Sequence, residues 1–299
     1  MKCHDFGQFL FNSSVFDAEK LSKIISAAKK IRPTFSTAAI FFRLVSVNEL
    51  TEIFAETNFF DEKNSVEIFR SHSPEVQKKY DEIVQKFLNP RKVKDIKESL
   101  ADPSVKFAQV LVDETMEFSQ FEKVLEEFYK GEISPVEKIF ADWYDDLPSK
   151  MNFDYPPALE VAKDFHEFLS DSLKTTIIFS STPAKTDEKL FGASVKILGA
   201  IPIIVGVVAE KNVLHKLANS YDKFISEDID EDFDSVAEML NVFTGNFTVK
   251  VASQLGIEEE LFPPLVGRLE KNEVPFLDVV CDFGNFYLYI GKEEIFKKV

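Results

Sequence analysis

The chain has 299 residues, enough for two domains, and 45% of them are hydrophobic, enough to bury sizeable cores. The formal net charge is −16, and the 25 acidic and 14 basic residues from Met151 onward carry most of it, which argues against nucleic acid and anionic membrane as partners. Two cysteines, Cys3 and Cys281, make no disulfide framework, and four scattered histidines have no zinc-ligand spacing; with no apolar run of roughly 18 residues and no signal-peptide pattern at the N-terminus, the expectation is a cytoplasmic protein.

Residues 1–145 read as a helical repeat domain. Phe6, Leu10, Val15, Phe16, Leu21, Ile24 and Ile25 fit two short amphipathic helices, with Asp17 as the N-cap of the second. The same pattern returns 29 residues later at Phe35, Ala39, Leu44, Val45, Leu50, Ile53 and Phe54, and a third copy starts at Lys106. Self-similarity at this period predicts stacked helical hairpins. A charged helical stretch, Ser73 to Leu100, lies between copies and breaks at Pro90; Ser73 is its expected N-cap, followed by Pro74. These repeats resemble the MshE N-terminal family of type II secretion and pilus ATPases, some members of which bind cyclic di-GMP. That family's nucleotide motif starts with Arg-Leu-Gly and ends with Gln. Here the corresponding residues are Asp5-Phe6-Gly7 with Ala28, and Thr34-Phe35-Ser36 with Thr57. The departure favours a helical interaction or dimerisation module.

Residues 146–157, with three prolines, are the expected linker. From Ala158 onward the pattern changes to an α+β domain with antiparallel strands, spanning residues 158–299. A helix is expected over Ala158–Leu173 and another over Asn212–Phe224. Strand-like runs cover Thr175–Ser180, Ala193–Ile197 and Ile201–Val208. A closing hairpin turns at Asp282-Phe283-Gly284-Asn285, and its second strand alternates Phe286, Leu288 and Ile290 with Tyr287 and Tyr289.

The segment Glu227 to Gly245 carries the chemistry. Asp232 or Asp234 can cap a helix there, and the acidic run suits a helix N-terminus. At 3.6 residues per turn, Val236, Leu240, Phe243 and Phe247 form one stripe with Met239 at its edge. Asp234, Glu238, Asn241 and Gly245 form the opposite stripe, and Glu238 and Asn241 are i, i+3 neighbours. Asn is a poor interior helix residue, and Gly245 costs roughly 1 kcal/mol there but lets another backbone approach.

The wider spacing, Asp234, three residues, Glu238, two residues, Asn241, twenty-two residues, Pro264, resembles the signature of the CheC/CheX/FliY phosphatases of bacterial chemotaxis. The resemblance covers residues 155 to 299 and implies a duplicated αβ unit. A shift of 71 residues lays Glu238 on Glu167 and Asn241 on Ser170, so the earlier copy lacks the Asn and the chain is similar to the one-site, CheX-like members, which are homodimers. The resemblance further implies that the helix runs past Gly245 towards Leu255, although Phe247-Thr-Val-Lys-Val251 by itself reads as a strand. It implies hydrolysis of the aspartyl phosphate of a CheY-like response regulator in two-component signalling. Asn241 then positions the water, Glu238 pairs with a receiver lysine, and Asp234 and Gly245 contact the partner. No metal or cofactor is implied on this chain, because the receiver supplies Mg²⁺. The alternatives are a catalytically silent receiver-binding or scaffold protein and a cyclic di-GMP-responsive module.

Overall fold

The computed structural model describes residues 3–49, 100–147, 154–181, 190–200, 202–222, 229–256, 259–270 and 274–298. The charged stretch 73–99 and the repeat positions Leu50, Ile53 and Phe54 lie outside them. The chain begins with short helices, α1 (Phe6–Asn12), α2 (Ala18–Ala28) and α3 (Phe35–Phe41). Asp17 starts α2 as expected, its Oδ1 accepting the Lys20 N–H at 2.7 Å. The third repeat forms α4 (Pro103–Glu114) and α5 (Phe118–Lys130). Most described repeat positions are buried, but Val15 is exposed at the turn before α2.

The chain divides into two compact units. The first comprises Met1–Phe6 and Lys23–Glu132. Its interior is aromatic: Phe6 meets Phe41, Phe107, Phe121 and Phe128 edge-on, at centroid separations of 5.4, 6.3, 6.0 and 5.2 Å. This geometry sets positive ring edges against negative ring faces. Gln109, also buried, accepts the Thr34 N–H at 2.7 Å.

The second unit comprises Gly7–Ser22 and Ile133–Val299. It therefore includes α6 (Pro135–Asp145), whose residues the sequence assigns to the repeat domain. The reason is tertiary. Val136, Ile139, Phe140 and Trp143 make an apolar stripe that joins the core of this unit, and the Trp143 indole N–H donates to the Phe276 carbonyl at 3.0 Å. Next comes α7 (Tyr155–Leu173), which starts three residues earlier than expected because Pro156 and Pro157 fit its first turn. Lys174 ends it in the left-handed conformation.

The strands are β1 (Ile178–Ser180), β2 (Phe191–Leu198), β3 (Ile203–Ala209), β4 (Glu260–Leu261), β5 (Leu265–Leu269), β6 (Phe276–Cys281), β7 (Gly284–Gly291) and β8 (Phe296–Lys298). Between β3 and β4 lie α8 (Lys211–Asp222) and α9 (Ile229–Leu255). The strands form one antiparallel sheet in the order β1-β6-β7-β3-β2-β5-β8, with β4 beside β2. Exchanging β1 with β5, β2 with β6 and β3 with β7 reverses the six-strand order onto itself. The sequence α7-β1-β2-β3 thus repeats as α9-β5-β6-β7, the duplicated αβ unit expected from sequence, with its pseudo-axis between β3 and β7.

Strand alternation places Ala193, Val195, Val205, Val207, Phe286, Leu288 and Ile290 in one core with α6 to α9. Tyr289 and partly buried Tyr287 belong to the other face, with Ile204, Val208 and Phe276. Gly192 is needed where β2 meets β3, because a Cβ there would stand 1.8 Å from the Val207 carbonyl oxygen. The closing hairpin turns on Asp282 and Phe283, and Gly284 supplies a φ of 131°.

Candidate active site

Local propensity reads Phe247–Val251 as a strand, yet α9 runs unbroken for 27 residues. Packing holds the helix. Phe243, Phe247 and Val251 continue its buried stripe, with Phe243 packed against Phe165 and Phe168 of α7 at 5.0 and 5.5 Å. The Thr244 and Thr248 hydroxyls bond back to the Leu240 and Gly245 carbonyls at 2.8 and 2.9 Å, so both are satisfied within the helix. Val236, Met239 and Leu240 are fully buried, as the helical period predicts for this face.

The opposite face carries the sequence-predicted residues. Asp234 and Glu238 are exposed, and Asn241 and Gly245 are half-buried. Neighbours at i, i+3 stand about 5–6 Å apart at Cβ, so one group from a partner can meet both Glu238 and Asn241. Among the described residues neither side chain has a hydrogen-bond or ion-pair partner within the chain. Their polar capacity faces outward.

Asp232 and Asp234 do not cap the helix; both lie inside it. Asp232 is buried, and its carboxylate accepts from His215 Nδ1 of α8 at 2.9 and 3.1 Å. His215 Nε2 in turn accepts from the Asn219 amide at 3.0 Å. This chain of polar contacts fixes the early turns of α9 against α8. Farther along, Lys250 pairs with both Asp164 oxygens of α7, at 2.6 and 2.8 Å. The site residues therefore stand on a helix tied at both ends.

Tyr221, at the end of α8, is a neighbour that sequence spacing did not identify. Burial, then the carboxylates of Asp222 and Glu238, push its phenol above the ordinary value. Its position beside Glu238 depends on how α8 packs against α9, and no periodicity encodes that. Among the described residues, no cluster of three potential metal ligands forms on this face of α9.

The earlier copy differs in exposure as well as chemistry. On α7, Glu167 is half-buried and Ser170 is buried, with no hydrogen-bond partner for its hydroxyl. A partner that reaches Glu238 and Asn241 finds no equivalent surface there.

A carboxamide can accept a hydrogen bond from water, and being uncharged it does not repel an approaching anion. A carboxylate one turn away can hold a cationic group of the same partner. The outward stripe offers this combination.

No family model matches the sequence, and no curated protein matches it. Among solved structures, its neighbours are CheX and CheC-like chemotaxis proteins. The chain is similar to CheX from Desulfovibrio desulfuricans, at 19% identity over 44% of this chain and 97% of that one, with a TM-score of 0.34. It is similar to CheX from Vibrio vulnificus, at 16% identity over 46% and 96%, with a TM-score of 0.34. A third similar structure is the CheX–CheY complex with BeF3 and Mg²⁺ from Borrelia burgdorferi, at 19% identity over 47% and 98%, with a TM-score of 0.35.

Proposed function

We propose that this protein is a phosphatase that hydrolyses the aspartyl phosphate of a CheY-like response regulator in chemotaxis or two-component signalling. The observation that carries this is the pair Glu238 and Asn241, side by side on the outward face of α9 and without partners within the chain among the described residues. The spacing from Asp234 through Glu238 and Asn241 to Pro264 supports the same assignment.

An aspartyl phosphate is a mixed anhydride, so its hydrolysis requires water held in line with phosphorus more than it requires a strong base. The Asn241 carboxamide accepts one hydrogen bond from that water and so directs a lone pair at phosphorus. Glu238 pairs with a lysine of the receiver and sets the register of α9 against the receiver's site. Asp234 adds negative charge one turn earlier, and Gly245 leaves room for the partner's backbone. Mg²⁺ is held by the receiver and neutralises the phosphoryl oxygens; this chain contributes no metal or cofactor.

The test is phosphate loss from a small-donor-phosphorylated receiver, with and without the protein. Wild type accelerates it. Asn241→Ala abolishes turnover with nearly unchanged receiver binding, whereas Glu238→Ala weakens binding as well as turnover. Full activity in both variants rules out the assignment.

A further inference from the structure

Counted from Glu238, the residues at i+4, i+7 and i+11 are Val242, Gly245 and Val249, so all four share one face of α9. The face changes character along its length. Its first part is acidic, with Asp234 and Glu238 both exposed. Its second part is apolar: Val242 is 37% exposed and Val249 70% exposed. Between the two valines Gly245 leaves a shallow step, since a Cβ there would meet only Leu261 Cδ1, at 4.0 Å.

The fold supplies no reason for valine at these positions. Val is a poorer helix former than Gln or Leu, because its branched Cβ restricts χ1. At 70% exposure Val249 gains almost no burial to offset that. The helix is already held to the core by Phe243, Phe247 and Val251.

The occupant rests on the receiver reading above, and the site fixes where it sits. Val242 follows Asn241 directly, and Val249 stands eight residues beyond Asn241, about 12 Å along the axis. A standard interface covers about 800 Å² on each partner, equivalent to a disc of about 16 Å radius. A domain centred with its phosphoryl group at Asn241 therefore overlies both valines.

We propose that Val242 and Val249 are an apolar docking track for the same receiver domain: they meet apolar side chains of the receiver about 12 Å from its phosphoaspartate, while Glu238 holds its lysine. The two parts of the face then have different effects. The charge of Glu238 sets register and favours encounter. Burial of the valines is equal in the bound complex and in the transition state, so it changes affinity and leaves the rate of the bound complex alone.

The test uses the full chain. Val249→Gln removes the apolar side chain and introduces a better helix former, so the variant melts no lower than wild type. Titration with a CheY-type receiver loaded with beryllofluoride and Mg²⁺ shows binding about tenfold weaker. In the dephosphorylation assay the half-saturating receiver concentration rises by the same factor, and the rate at saturation stays within about twofold of wild type. Val249→Leu keeps the apolar surface and restores the affinity. Equal affinity of wild type and Val249→Gln overturns the track and leaves the phosphatase reading standing. So does a Leu variant as weak as the Gln variant, because the loss is then not one of apolar contact. Weaker binding by Val249→Gln, with no dephosphorylation by wild type, supports the track and refutes the phosphatase reading instead. No receiver binding by wild type refutes both.

Discussion

Gly245→Ala separates what the fold needs from what a partner needs. Gly245 lies inside α9, where Gly is about 1 kcal/mol less favourable than Ala. Glycine in such a position is usually forced by crowding, but here the nearest atom to an added Cβ is Leu261 Cδ1, at an ordinary contact distance of 4.0 Å. No steric term offsets the propensity gain, so the substitution stabilises the second unit by about 1 kcal/mol. That raises its melting temperature by about 2–4 °C for a domain of roughly 150–250 residues. The single tryptophan, Trp143, is buried in this unit, so its fluorescence follows the relevant transition. In the dephosphorylation assay the half-saturating receiver concentration rises about tenfold, as expected when a new methyl must be accommodated at a close contact. Destabilisation refutes the packing argument. Stabilisation with an unchanged half-saturating concentration refutes Gly245 as a contact.

Two further substitutions address the sheet and the earlier copy. Asp278 is half-buried on the face of the sheet away from the helices, where desolvation pushes its carboxyl up from 3.8 to about 6. The neutral form is favoured in the fold, so the contribution of Asp278 to stability is greatest below about pH 4 and is lost as pH rises through about 6. Asp278→Asn removes this loss, worth about 3 kcal/mol at pH 8 before the cost of burying the amide, so the net gain is about 2 kcal/mol. Melting curves at pH 4 and pH 8 check it, and an equal effect at both values refutes the carboxyl as its origin. Ser170→Asn restores the amide of the earlier copy but must fit a buried position, so it destabilises by about 1–3 kcal/mol and adds no turnover. A doubled rate per chain would show that the α7 face is accessible.

Elements whose signals are local are legible in the residues themselves. The stripe Val236, Leu240, Phe243 and Phe247 is buried because neighbours at helical spacing share a face, and Phe286, Leu288 and Ile290 line one side of β7 because strand residues alternate. Asp17 caps α2 through a contact only three residues long. The outward placement of Glu238 and Asn241 follows from the same helical period. Tertiary structure decided the rest. Burial of Phe247 and Val251 in the core, continuous with Phe243 packed against Phe165 and Phe168, keeps Phe247–Val251 helical against its strand propensity. Asp232 reads as a cap in sequence, but α8 supplies a histidine that takes it as a buried partner. Gly7–Ser22 and α6 join the sheet unit although they lie within the helical half of the sequence, because the edge of β1 and the carbonyl of Phe276 need donors that their own neighbours cannot provide. Periodicity reports which face of an element is apolar; it carries no record of which distant residue will satisfy a buried polar group.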